Sequence, residues 1–336
     1  MALSAQRPAA ELDFTAAAEQ ASAAAGTAAE RARRCKFPPT ERSFNTIIQG
    51  LFNEGLVPAG DVLDAGAHRG HWACLYACYQ PFRYVRALDP TPSKIANMEC
   101  NTGRPHRLHK YVRAISNASG SIYVEDSPGL WGHGRGSYAS ADNVVAPKNS
   151  SKFVVRVNTS SLDDLFLREW RSRLGFAHLD LEGHELHALE GGWRTIQRDL
   201  PIISTEVSSS RSFRQRNERA RAAARREAQL AGPLLAKLRS LGYVSFMVME
   251  VTGVYWHRRN VLSLPLARLP QMMGSPTLDL AARGLLMVPV NETTLGLQVC
   301  APRLQRTPTL PPPDLPLTDC VADPAAWGQR ARAFVV

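Results

Sequence analysis

Short apolar runs alternate with amphipathic stretches through the middle of this chain, and that rhythm predicts its elements. Runs at 61–65, 84–88, 107–114, 176–181, 201–206, 243–249 and 260–265 read as strands. Helical spacing predicts helices near 70–79, 92–101, 161–173, 185–198 and 212–241. An opening helix runs from Glu41 to Leu56, with Thr40 as its N-cap behind Pro38-Pro39. Strands and helices alternating in this order predict an α/β fold, a mostly parallel sheet flanked by helices. A polar, Gly-rich interval from Asp126 to Ser151 interrupts the rhythm and carries Trp131 and Tyr138. It reads either as a disordered loop or as a functional lid.

The pattern divides the chain into three parts. Residues 1–35 form an Ala-rich extension, helical or disordered, because alanine favours helix but offers little to pack. Residues 36–268 carry the α/β domain, and residues 269–336 form a partly irregular tail that includes Pro311-Pro312-Pro313. No uninterrupted apolar run reaches the roughly 18 residues of a membrane span. The first 30 residues lack an apolar signal-peptide core and contain Arg7, Glu11, Asp13, Glu19 and Glu30.

None of the six cysteines forms a Cys-x-x-Cys pair, so reduced, mostly buried thiols and a cytoplasmic address are the expectation. The net charge of +10 raises the question of nucleic acid. Seven arginines crowd between Arg211 and Arg226, however, among Ala and Glu, and a solvated helix face accounts for them.

The first chemical motif is Asp61-Val62-Leu63-Asp64-Ala65-Gly66-Ala67-His68-Arg69-Gly70, which reads as strand, tight turn and helix. Gly66 lets the backbone approach a ligand, and the helix starting near Gly70 aims its free N–H groups above the strand. Dinucleotide binding would need glycine at positions 68 and 71, where His68 and His71 stand. No Gly-Lys dipeptide is present for a phosphate loop. A sparse glycine loop behind an acid suits a ligand without pyrophosphate and with a cationic sulfonium–amino acid part, whose charge Asp64 would complement. The next strand ends in Asp89-Pro90, where a carboxylate can accept hydrogen bonds from ribose hydroxyls.

The second motif is Phe176-Ala177-His178-Leu179-Asp180-Leu181-Glu182-Gly183-His184-Glu185-Leu186. Strand alternation puts His178, Asp180 and Glu182 on one side and Leu179 and Leu181 on the other. Here the sequence resembles the FkbM-type methyltransferase family. The matching pieces are Leu63-Asp64-Ala65-Gly66-Ala67, Leu88-Asp89-Pro90-Thr91-Pro92, Ala114-Ile115-Ser116 and Ser161-Leu162-Asp163-Asp164-Leu165. They continue through Leu179-Asp180-Leu181-Glu182-Gly183-His184-Glu185, Pro201-Ile202-Ile203 and Asn260-Val261-Leu262.

The resemblance implies a class I, Rossmann-like methyltransferase fold, S-adenosylmethionine as donor and a hydroxyl acceptor on a small molecule, sugar or glycan. It implies a cofactor set of Asp64, Ala65, Gly66, His68, Gly70, Asp89, Pro90 and Ile115. The chain departs from the family pattern at His68, where a small residue or asparagine is common, and at His178, where lysine is common.

Methyl transfer from a sulfonium needs alignment more than activation, and a base can take the hydroxyl proton. Asp180 is the first candidate for that proton, with Glu182 and His178 behind it; a structural role at a strand-to-helix corner is the competing reading for the carboxylates. His178-x-Asp180 also matches two ligands of a facial iron triad, but the α/β pattern argues against that chemistry and no metal is expected. Two other functions stay open. One is a methyltransferase-like binding protein without catalysis. The other is an RNA methyltransferase using the basic 211–226 segment, although no aromatic-rich recognition module accompanies it.

Overall fold

The computed structural model describes residues 41–100, 107–126, 154–181, 183–206, 231–252, 255–272, 275–278 and 287–290. The Ala-rich extension, the Gly-rich interval from 127, Glu182 and the arginine-rich segment lie outside the described residues.

Helix α1 (Arg42–Asn53) forms where Phe44, Ile47, Ile48, Leu51 and Phe52 recur at helical spacing and are all buried. Glu41, not Thr40, holds its N-cap position, and without a side-chain cap bond. Strand β1 (Asp61–Ala65) leads into α2 (His71–Tyr79), and β2 (Val85–Asp89) into the short α3 (Pro92–Ala96). The helix expected to reach 101 therefore ends early. Strand β3 (Leu108–Val112) is followed at once by β4 (Ala114–Ile115).

After β5 (Gly120–Glu125) and β6 (Val154–Ser160) the chain makes a π-helical turn, Asp164–Glu169, where a longer helix is expected. Strand β7 (Leu174–Leu179) leads to α4 (Glu185–Glu190) and α5 (Trp193–Asp199). A single helix over 185–198 is thus split at Gly191-Gly192, residues of poor helix propensity. Strand β8 (Ile202–Glu206), a helix over 231–240, and strands β9 (Tyr243–Thr252), β10 (Tyr255–Pro265) and β11 (Met287–Val290) follow.

Among the described residues the main sheet has eight strands in the order β11-β9-β10-β8-β7-β1-β2-β3. Strands β8, β7, β1, β2 and β3 pair in parallel, while β10, β9 and β11 add antiparallel pairings. Every residue of β1, β2 and β7 is buried, as strands covered on both faces must be. On one face Val62 and Phe176 pack with α1 and α2; on the other Leu63, Ala65, Ala177 and Leu179 pack with Phe166, Leu189 and Ile196.

The chain leaves β1 first toward β2 and β3, then returns to β7 on its other side. That reversal opens a crevice beyond the strand ends, where open α/β sheets hold ligands. A smaller sheet, β4-β6-β5, stands beside it and takes the end of the run expected as one strand over 107–114. Sequence periodicity misses β5 and β6, which flank the Gly-rich interval.

The expectation of reduced thiols is overturned. Cys74 and Cys100 form a disulfide, and Cys78 is disulfide-bonded as well. Residues 26 apart in sequence meet only because β1–α2 and β2–α3 are neighbours in space, which spacing alone does not reveal. Disulfides persist in oxidising compartments, so the thiols no longer support the cytoplasmic expectation. No helix among the described residues is long and apolar enough to cross a membrane.

Candidate functional site

The site is built where β1 and β2 end side by side. The backbone N–H groups of Gly66 and Ala67 both donate to Leu88 O, at 2.8 and 2.9 Å. The next N–H, from His68, donates to Asp89 Oδ2 at 2.9 Å, and Thr91 N donates to Asp89 Oδ1 at 2.8 Å. Asp89, 4% exposed, thus clasps the loop after β1 to the loop after β2. Each carboxylate oxygen keeps a lone pair beyond the amide it already holds. Arg113 N donates to Asp89 O at 3.1 Å and brings the end of β3 to the same place.

Gly66 is required by its own chain. Its φ is +86°, and a Cβ there would stand 1.8 Å from Asp180 O. Sequence reasoning assigns this glycine to close approach of a ligand; the backbone of the β7 end is what it actually meets. Asp180 N in turn donates to Ala65 O at 2.9 Å, so the tip of β7 is locked to the tip of β1.

A narrow cleft lies between these tips, lined by Gly66, Leu88, Pro90, Arg113, Ala114, Ile115, Leu181 and His184. Of the sequence-derived cofactor set, Gly66, Pro90 and Ile115 line it and Asp89 lies between two lining residues. His68 contributes its backbone N–H from an exposed position with φ +50°. Ala65 is buried in the core and Gly70 packs against Met98, both away from the cleft.

Asp64 does not meet its expectation. It is 1% exposed, and its Oδ1 lies 2.9 Å from Nδ1 of His178, itself 2% exposed. Aimed into the core beneath α1 and α2, it meets the imidazole through Oδ1, while its Oδ2 is buried without a hydrogen-bond partner. His178 is walled by the rings of Phe44 and Trp72, with centroids 5.7 and 5.4 Å away.

Leu88, Arg113, Ala114, Leu181 and His184 are lining residues that sequence reasoning leaves out. Their signal is positional, since all fall within one or two residues of a strand end or of the Gly183 turn. Burial and the neighbouring His187 hold the His184 imidazole below its ordinary 6.5. Glu185 folds back on the same turn: its Oε1 accepts Leu181 N at 2.9 Å and Gly183 N at 3.3 Å. Burial nevertheless raises its carboxyl to about 6, outweighing those two bonds. Asp163 accepts Thr195 N at 2.8 Å, satisfying a free donor in the first turn of α5. Among the described residues no cluster of His, Cys, Asp and Glu is arranged to hold a metal ion.

The sequence model of the methyltransferase FkbM domain matches residues 64–245, which begin at Asp64 and take in both strand-end motifs. The chain belongs to this family. Its arrangement is a mostly parallel sheet flanked by helices, with the crevice at the reversal beside β1. It is similar to a methyltransferase FkbM from Methylobacillus flagellatus KT, 14% identical with a TM-score of 0.38, over 66% of this chain and 48% of that one. The chain therefore spans about half the length of that protein. It is also similar to cofactor-bound Rv0187 from MTB, 14% identical, TM-score 0.40, over 77% of this chain and 98% of that one. A third similar structure is magnesium protoporphyrin IX methyltransferase from Synechocystis PCC 6803 with bound SAH, 10% identical, TM-score 0.33, over 70% of this chain and 93% of that one. No curated protein matches the chain.

Proposed function

We propose that this FkbM methyltransferase uses S-adenosylmethionine to methylate a hydroxyl oxygen on a small molecule, sugar or glycan. The observation that carries the reading is the clasp of His68 N on Asp89 at the mouth of a cleft walled by Leu88, Pro90, Ala114, Ile115 and Leu181. The apolar side chains beside Asp89 offer a face for a base and Arg113 and His184 add polar groups, while the remaining lone pairs of Asp89 suit ribose hydroxyls, so these residues suit the nucleoside part of the cofactor. Bound there, the cofactor supplies an activated methyl group.

The protein's own part is to hold, orient and exclude water. Asp89, Gly66, Pro90 and Ile115 hold the nucleoside. Asp64, paired inside the core, is left out of that set, and His178 is left out of the proton chemistry for the same reason. Asp180, at the locked tip of β7, orients the acceptor hydroxyl and takes its proton. Glu182, the second candidate in the sequence, lies outside the described residues.

The test is turnover with methyl-labelled S-adenosylmethionine and a panel of hydroxylated acceptors, scored by S-adenosylhomocysteine release. Transfer to a hydroxyl supports the proposal. Cofactor binding without transfer to any of them favours a non-catalytic binding protein, and transfer to RNA alone favours the basic-segment alternative.

A further inference from the structure

The disulfide stands at a place the cofactor reading leaves unexplained. Cys74 lies on α2, in the first turns after the Gly66–Gly70 loop, and Cys100 lies just beyond α3, after the Asp89-Pro90 loop. Their Cα atoms are 5.3 Å apart. The two segments they join are the ones that leave β1 and β2 and meet again at the His68–Asp89 bond. Between bond and disulfide the two segments touch once more, at Gly70 and Met98. A Cβ on Gly70 would fall 2.3 Å from Met98 Cγ, and Lys110 Nζ donates to Met98 O at 2.6 Å. Met98 itself is buried.

We infer that Cys74 and Cys100 are positioning residues for the cofactor, their disulfide fixing the spacing between the Gly66 loop and the Asp89 carboxylate. This rests on the cofactor reading above. A cross-link on the far side of the clasp limits how far the two loops part, so the ligand does not have to order them when it binds. Reduction by dithiothreitol breaks the S–S bond and gives two cysteine thiols, the reagent being oxidised to its cyclic disulfide. The loops are then held together only by hydrogen bonds and packing. Cofactor affinity thereby becomes dependent on the redox state of the protein.

The experiment is calorimetry of the full chain with S-adenosylmethionine in three forms: oxidised wild type, dithiothreitol-treated wild type, and C74S/C100S. Amide hydrogen exchange over residues 66–70 and 89–92 is measured on each without ligand. The expected result is a Kd about tenfold weaker in both the reduced protein and the double variant, with faster exchange in both segments. Dithiothreitol should not weaken C74S/C100S further, which separates this bridge from the one at Cys78. A purely structural disulfide lowers the melting temperature and leaves Kd and exchange of these loops unchanged in the folded protein; that result overturns the inference. Failure of oxidised wild type to bind at all defeats the cofactor reading instead. The exchange data then still decide whether the bridge holds the two loops, and unchanged exchange overturns the inference on its own. If C74S/C100S does not fold, a dithiothreitol titration of wild type below its melting temperature gives the same comparison.

Discussion

His178 Nδ1 stands 2.9 Å from Asp64 Oδ1, with both side chains almost wholly buried beneath α1 and α2. The pair joins β1 to β7 from within the core, directly under the strand tips that form the cleft. It also involves one of the two departures from the family pattern. Where the resemblance commonly has lysine, this chain has an imidazole, and its nitrogen meets one oxygen of the acid behind the glycine loop. A buried acid without a partner is costly.

His178→Leu should therefore destabilise the protein by about 3–5 kcal/mol, because it strands the Asp64 carboxylate in an apolar core. His178→Lys, which returns a nitrogen donor to the site, should lose clearly less. Urea denaturation of the two variants checks this. Equal losses would mean that packing against Phe44 and Trp72, not the pairing, is what the histidine provides.

Gly66→Ala should be poorly tolerated. The substitution meets a positive φ and places its methyl carbon against Asp180 O, so either the loop or the β7 tip must move. Cofactor affinity should fall at least about tenfold even where the variant stays folded, since strain of about 1–3 kcal/mol is relieved only by displacing the site. Calorimetry below the melting temperature reads this directly. Wild-type affinity would show that the loop accommodates the side chain.

Glu185 gives the protein a specific pH dependence. Burial raises its carboxyl from 4.5 to about 6, so the folded protein holds this proton more tightly than the unfolded chain does. Its contribution to stability is complete below 4.5 and is lost as pH rises through about 6, a change of about 2 kcal/mol. Glu185→Gln keeps a carbonyl oxygen for the Leu181 and Gly183 amides and removes the titration. Stability measured between pH 4 and 7 should lose that slope in the variant, at about these pH values. An unchanged slope would assign it to another group.

Asp163→Ala should cost about 1–2 kcal/mol, the loss of an acceptor for the first turn of α5. Its effect on cofactor affinity should be negligible, which separates this acid of the Leu-Asp-Asp-Leu segment from those at the cleft. Thermal denaturation with parallel calorimetry is sufficient. A large drop in affinity with little loss of stability would place Asp163 in the binding machinery instead.

Much of this molecule is legible in its sequence because fully buried parallel strands leave short apolar runs that helical periods then interrupt. Strand β1 falls on its expected residues and β2 within one of them. The acid ending each strand is visible, but which way it turns is not. Alternation along β1 sets Asp64 with Val62 on the α1–α2 face, and only the pairing of β1 with β7 puts His178 opposite it. The Cys74–Cys100 bridge is hidden for the same reason: it depends on which loops become neighbours. Strands β5 and β6 escape because their sheet is small and largely solvent-facing, with weak apolar alternation around Ile122, Val124 and Val157.

The most direct test of the central claim is calorimetry with S-adenosylmethionine on wild type and Asp89→Ala. Wild type should bind, and the variant should lose about 1–3 kcal/mol of binding, because it removes the acceptors for ribose hydroxyls together with the clasp on His68 and Thr91. Equal affinity in the two proteins, or no binding by wild type, would contradict the account.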